Sequence, residues 1–582
     1  MNARPYCLLF LILALTAAAY LPSIRGEFVS DEYLLILNNP SVQHPRGLTS
    51  FLTNKFWTGK ARGIYYRPAV IFSYALNWRL GKTSAFGYHL LNLGFYLCTV
   101  VLFFGLARKW FPHAALFAAA LFAFHPVHLE SVAWIPGRTD LMSTFFILGG
   151  WSLWLGAGRT ESGRPIVIYL TMFIAVLLAL FSKEIAVLIP LFFFISDWWQ
   201  KPKQQRWTEL LKKRAPGYLL IAAALVIYLW LRHNALSGIG PEPAPPYLSA
   251  VPVWKKPLFI CRVWGEYLRL LFFPHPLRMD AFYLHKFSPE SYPLWRCLPS
   301  AVLCLILAFA LALGLARRNG FALLGLFWLL SLLPVSHIIP LPNVMAVRFL
   351  FLPSVFFALA LALAVFHISK FFPKTAKTTG FFIGTFFLVL SAFGNRIYES
   401  RYLYLRGVVE EAPEGQAAHN QLALAALDLG WFDQAEKEFN WALRINPDYP
   451  EAMVNLSLVK LKKREGPAAI ALLQKAIDMY PEYSAAYYNL GLAQESMMKI
   501  DDAAGNFEKA CQLAPENPGA FYELAKIRFE QGKITEAKKF ADAGLKAADW
   551  HLPLLKLRAR IAILERDQKL ADQLIQKISP DN

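Results

Sequence analysis

Residues 415–448 read GQAAHNQLALAALDLGWFDQAEKEFNWALRINPD, and the same spacing of small and large side chains returns further along the chain. Leu422, Leu456, Leu490 and Leu524 recur every 34 residues, as do Ala435, Ala469, Ala503 and Ala537. Ala442, Ala476 and Ala510 follow in step, then Pro447, Pro481 and Pro515. A period of this length is that of a stacked helix pair. The alanines let the two helices of a pair approach closely, and the proline, lacking an N–H, ends the second helix. Stacked pairs bury a continuous core and leave a concave groove that suits peptides or proteins. Residues 413–582 are therefore predicted to form a soluble α-solenoid of about four repeats.

Upstream of this solenoid the composition changes. The whole chain of 582 residues is 56% hydrophobic and only 17% charged, against roughly 25% charged in soluble domains. Almost all the long apolar runs fall in residues 1–396, with 397–412 as a linker. A run of about 20 apolar residues can cross a bilayer. Such runs lie near 5–24, 88–107, 113–133, 140–157, 165–181, 184–199, 216–232, 297–316, 320–340, 346–367 and 379–395. The predicted fold class is all-α: a polytopic membrane helix bundle of about 11 spans, followed by a tetratricopeptide-repeat (TPR) solenoid. The first run resembles a signal peptide, with Arg4 ahead of its apolar core, but so many further spans make an uncleaved anchor the expectation.

The net charge of +19 does not point to nucleic acid, because the cations sit in short segments between apolar runs. There they keep a loop in the cytoplasm. Arg4, Arg108, Lys109, Arg159, Arg164, the cluster Lys201 to Arg214, Arg317, Arg318, Lys370, Lys374 and Lys377 mark that side. The outer side then receives loops 25–87 and 233–296 and everything after residue 396. Segment 258–275 carries Arg262, Glu266 and Arg269 and is expected to lie in the interface. The short loops favour a bacterial inner membrane with the TPR domain in the periplasm; in a eukaryote it would be the endoplasmic reticulum, with the TPR domain in the lumen. Six cysteines include no CxxC pair, so neither a zinc site nor a disulfide framework is indicated, and Cys261 and Cys297 read as unpaired thiols.

Chemistry-bearing residues collect at the outer ends of the spans. Asp31 and Glu32 follow the first run, where a carboxylate can act as general base toward an acceptor hydroxyl. His125, His128 and Glu130, then Arg138 and Asp140, surround a turn at membrane depth, where ionisable groups are costly and have a functional or paired role by default. The His-x-x-His-x-Glu spacing is not that of zinc hydrolases, and no metal is expected. Lys183 and Glu184 share a short turn, either as a mutual ion pair or as a phosphate site. Arg348 starts a span with no acid nearby in sequence; its guanidinium fork matches phosphate oxygens. Arg67 is a weaker candidate of the same kind. Carboxylates and cations on one outer face suit transfer from a membrane-borne phosphate ester. The chain has no Gly-rich phosphate loop, so a lipid-linked donor fits better than a nucleotide sugar, and no cofactor is called for.

Five stretches carry a resemblance across essentially the whole chain: YYRPAVIFSYALN (65–77), GYHLLNLGFYL (87–97), FAFHPVHLESVAWIPGRTDLMS (122–143), SKEIAV (182–187) and MAVRFLFLPS (345–354). They resemble the transmembrane-and-tetratricopeptide-repeat O-mannosyltransferases, of the GT-C class. Two departures stand out. Val347 occupies a position that is usually acidic in that family, and Asp31-Glu32 stands for the usual Asp-Asp pair of its animal members. The resemblance implies Asp31 as catalytic base, Glu32 assisting it or binding acceptor, and Arg138, Lys183 and Arg348 near the donor phosphate. It also implies a polyprenyl- or dolichyl-phosphate mannose donor, inversion at the anomeric carbon, and a luminal TPR domain. The expected partners are membrane lipids, the lipid-phosphate sugar, and acceptor or partner proteins in the TPR groove. Two other readings remain open: sugar transfer to a glycan or lipid, and a non-catalytic TPR membrane scaffold.

Overall fold

The computed structural model describes residues 4–578 except 54, 57–64, 158–164, 203, 237–252, 276, 278–293, 339–340 and 342. Most of the outer loop expected at 233–296, and Arg159 and Arg164, thus lie outside the described residues. The chain divides into two compact units, Met1–Glu411 and Ala412–Asn582.

Among the described residues of the first unit five helices are long and apolar enough to cross a membrane: Phe86–Trp110, Trp207–Leu236, Cys297–Ala316, Val347–Ser369 and Pro373–Tyr398. A sixth candidate is the pair Ala115–Phe124 and Pro126–Ala133, bent by 54°. The bend falls at His125-Pro126, where proline removes a ladder hydrogen bond. The run expected to span 184–199 is likewise divided, into a 3-10 turn Glu184–Leu188 and a helix Ile189–Gln200 of 12 residues. Helix length and apolarity thus account for five or six of the eleven expected spans. Segment 258–275 contains one amphipathic helix, Lys256–Phe272, which buries Phe259, Val263, Tyr267, Leu270 and Leu271 on one face.

Aromatic packing fills the centre of this unit. Trp151 stacks on Phe192 at 5.9 Å, and Phe327 on Phe356 at 5.2 Å. A buried polar clasp joins the chain around Trp154: Asp197 accepts from Trp154 Nε1 at 3.1 Å and from the Tyr218 hydroxyl at 2.9 Å, and pairs with Arg214 at 3.3 Å. Charges inside a membrane bundle persist when paired in this way.

The second unit is a stack of five helix pairs among the described residues: Gln416–Asp428 with Phe432–Ile445, Pro450–Lys462 with Gly466–Met479, Ser484–Ser496 with Ile500–Leu513, Pro518–Glu530 with Ile534–Ala547, and Leu552–Leu564 with Gln568–Ile578. The four periodic leucines and Ala435, Ala469, Ala503 and Ala537 are all buried. The fifth pair keeps the period in Ala571, also buried. At its leucine position stands Arg558, whose guanidinium is held by Asp542 at 2.6 Å. That charged replacement hid the fifth pair from the leucine count. The inter-helix turns share the period too: Gly430, Arg464, Met498, Gly532 and Arg566 all have φ between 60° and 75°, the left-handed cap that ends a helix.

Candidate functional site

The loop after the first helix is fixed by its own apolar residues. Phe28, Leu35 and Ile36 are buried with Val70, Ile71, Tyr74, Tyr88, Ile135 and Met142 in one cluster. Between them the backbone turns tightly: the Asp31 carbonyl accepts from the Leu34 and Leu35 N–H groups at 3.0 and 2.9 Å. The two neighbouring carboxylates consequently part. Asp31 is half-buried at the rim. Glu32 is fully buried; its Oε2 accepts from the Ser30 N–H at 2.7 Å, and among the described residues its Oε1 has no hydrogen-bond partner. Burial, reinforced by the charge of Asp31, pushes its carboxyl up to about 7. Glu32 is therefore a packed member of the loop, whereas Asp31 beside it keeps partial exposure.

Arg67 precedes Pro68, the first residue of helix Pro68–Gly81, a position proline favours. The Ala69 N–H donates to the Phe181 carbonyl at 3.2 Å, and the Tyr66 ring meets Phe181 edge-on at 6.2 Å. This docking carries Arg67 to the turn that holds Lys183 and Glu184. Arg67 then pairs with Glu184 at 2.9 Å and lies over the rings of Tyr65 and Phe56, at 4.5 and 5.1 Å. Lys183 turns the other way, to Asp140 at 2.5 Å, with its ammonium 4.9 Å from the centre of the Phe349 ring. The mutual Lys183–Glu184 pair weighed from the sequence is replaced by these two crossed pairs.

Between Glu130 and Asp140 the backbone folds closely on itself. The short turn Ile135–Gly137 folds back on the helix Leu129–Ala133. A Cβ on Gly137 would lie 2.5 Å from the Ser131 carbonyl oxygen and 2.6 Å from that of Glu130. Only glycine allows that approach. Glu130 then reaches Arg348: one carboxylate oxygen takes the guanidinium, and the other accepts the Arg348 backbone N–H at 2.8 Å. Arg348, expected to lack an acid, is thus paired, and its guanidinium also lies 5.1 Å from the Trp134 ring centre.

Three other sequence candidates serve packing. Arg138 is fully buried and donates to Asn92 at 2.8 Å, Ser73 at 3.0 Å, Asn77 at 2.8 Å and the Tyr88 carbonyl at 2.8 Å. It ties helices Pro68–Gly81 and Phe86–Trp110 to the start of Arg138–Ala157. His128 is buried between the Tyr96 hydroxyl and Ser354 Oγ, each at 2.7 Å, and His125 Nε2 lies 2.9 Å from the Leu271 carbonyl. The two rings and Glu130 therefore take three separate sets of partners.

Arg232 is a member that the sequence reading passed over. It lies on the last turns of Trp207–Leu236, with Nη1 4.0 Å from Glu184 Oε1. Its signal was present as a charge closing the apolar run LIAAALVIYLWLR at residues 220–232. Among the described residues, ion pairs here join four cations, Arg67, Lys183, Arg232 and Arg348, to three carboxylates, Glu130, Asp140 and Glu184. Phe349 links two of the cations, its ring centre 4.9 Å from Lys183 Nζ and 5.3 Å from the Arg348 guanidinium.

Comparison with known proteins agrees with this architecture. Family models described as tetratricopeptide repeat match residues 420–484, 454–496 and 498–561. The protein O-mannosyl-transferase F38B6.6 of Caenorhabditis elegans is 26% identical over 461 residues, covering 76% of this chain and 63% of the relative. The protein O-mannosyl-transferase TMTC1 of Homo sapiens is 25% identical over 494 residues, 77% of this chain and 56% of the relative. The chain is similar to these two O-mannosyl-transferases over about three quarters of its own length. A shorter match, 30% identical over 182 residues, links it to TMTC3 of Mus musculus, covering 30% of this chain and 20% of the relative. The chain spans less than two thirds of the length of these relatives.

Proposed function

We propose that the chain is an inverting glycosyltransferase that moves a sugar, mannose first, from a polyprenyl-phosphate donor to a Ser or Thr hydroxyl of a protein. In this reading the Asp31 carboxylate takes the hydroxyl proton as the oxygen attacks the anomeric carbon from the face opposite the phosphate. The new C–O bond forms as the bond to the phosphate oxygen breaks, and polyprenyl phosphate leaves with the electron pair. Arg67, Lys183, Arg232 and Arg348 stabilise the charge gathering on that leaving group. Trp134 and Phe349 offer aromatic faces beside it, and the TPR groove presents the acceptor. Reaction and TPR groove share the outer side, the periplasm of a bacterium.

The observation that carries the reading is the charge inventory. Among the described residues, Arg67, Lys183, Arg232 and Arg348 gather with Glu130, Asp140 and Glu184 through four ion pairs, and a phosphodiester donor brings an anion that these cations can bind. The names of the relatives, protein O-mannosyl-transferases, support the same sugar and acceptor class. The test is to supply radiolabelled polyprenyl-phosphate mannose to the protein in liposomes with a membrane extract. Label in protein supports the proposal; label only in glycan or lipid moves the acceptor assignment; no transfer with any lipid-phosphate sugar contradicts it.

A further inference from the structure

A second feature of the membrane unit has no part in that chemistry. Helices Ala115–Phe124, Phe351–Ser369 and Pro373–Gly394 enclose a cavity of 510 Å³, with Leu15 on its wall. One end is lined by His113, Ser369 and Lys377, the other by Phe124, Gly384 and Leu388. Between Lys377 and Leu388 the helix rises about 17 Å, close to half of the roughly 30 Å hydrocarbon core, or one leaflet. Gly380 and Gly384 both line this wall, and only Gly380 is closely packed. A Cβ at Gly380 would come to 3.0 Å from the Phe117 ring, and one at Gly384 to 3.9 Å from Phe124.

The polar end is cationic without compensation in sequence. Lys377 is exposed. Lys370 Nζ sits 5.3 Å from the centre of the Phe366 ring, itself part of the wall, and His113 stacks on the same ring at 5.4 Å. The helices that form the cavity contain no Asp or Glu; residues 33–129 and 291–398 have none at all. An apolar slot one leaflet deep, with lysines at its mouth and walls from helices that carry no carboxylate, matches a lipid that has an acyl chain and a phosphate headgroup.

We propose that this cavity is a binding site for one anionic phospholipid, its chain between the three helices and its phosphate at Lys370 and Lys377. The side is the lysine-rich one, opposite the transferase site under the charge-based topology. The site does not depend on the proposed reaction.

Native mass spectrometry of the delipidated full chain, with phosphatidylglycerol or phosphatidylcholine added back, tests it. The wild type should hold one phosphatidylglycerol at a concentration where phosphatidylcholine occupancy is at least fivefold lower. Lys377→Gln, a surface change that leaves packing intact, and Gly384→Leu, which fills the slot, should each lower phosphatidylglycerol occupancy at least fivefold. Equal occupancy by the two lipids would overturn the proposal, because the cavity would then be wetted by any lipid. Wild-type occupancy in either folded variant would overturn it too, and so would equal binding of glycerol phosphate, which has no chain.

Discussion

Glu130 holds Arg348 from both ends of its carboxylate, one oxygen on the guanidinium and the other on the backbone N–H at 2.8 Å, across 218 residues of sequence. The pair therefore fixes the position of the backbone as well as that of the charge. It also supplies Arg348 with an acid although Val347 stands where relatives of the resembled family usually have one.

Removing half of this pair strands a charge with little access to water. Glu130→Ala is expected to lower stability by about 3 kcal/mol, whereas Glu130→Leu with Arg348→Met costs less than the single change. Thermal unfolding of the detergent-solubilised variants measures both. A double variant less stable than Glu130→Ala would show that the pair is more than mutual compensation.

Arg138 acts through packing. Arg138→Ala leaves the acceptors on Ser73, Asn77, Asn92 and Tyr88 without their donor, at about 1–3 kcal/mol for each group that water does not reach. The expected result is loss of folded protein, read by size-exclusion chromatography, alongside Arg67→Ala, which remains folded and loses donor affinity. A well-folded Arg138→Ala with weakened donor binding would restore Arg138 to the site.

Glu32 gives the Asp31 loop a pH dependence. Its folded carboxyl titrates near 7, above the ordinary 4.5, because burial disfavours the charged form. The folded state then binds more protons than the unfolded state between these values, so stability falls as pH rises through that window. The change is on the order of 3 kcal/mol. Glu32→Gln removes the titration, and its Tm relative to wild type should rise between pH 5 and pH 8. A difference independent of pH would contradict the burial of this carboxyl.

In the solenoid, Met498 occupies a left-handed turn at φ 62° with its side chain exposed, where Gly430 and Gly532 stand in other repeats. Met498→Gly should stabilise residues 412–582 by about 0.5–1 kcal/mol, since only glycine enters that region without cost. Urea unfolding of that unit reads the change; destabilisation would mean that the Met498 side chain contributes contacts.

Much of this was legible in the residues. The 34-residue spacing located the helix pairs because the period itself places leucines and alanines inside, and it failed only where Arg558 replaces the leucine. The apolar runs located the membrane helices, but not the breaks at Pro126 and after Glu184, since hydropathy does not register a kink. At the site, charged residues near the ends of runs were visible, yet their pairing was not. Glu130 with Arg348, and Arg67 with Glu184, meet across long stretches of chain. For the same reason Arg138 read as a ligand residue: a buried arginine and a site arginine look alike until the acceptors around them are placed.

The most direct test compares wild type with Asp31→Asn in liposomes, measuring both binding of polyprenyl-phosphate mannose and label transferred to protein. The account predicts donor binding within twofold of wild type and transfer reduced at least a thousandfold, because the amide cannot take the hydroxyl proton. Transfer at the wild-type rate by Asp31→Asn would contradict it.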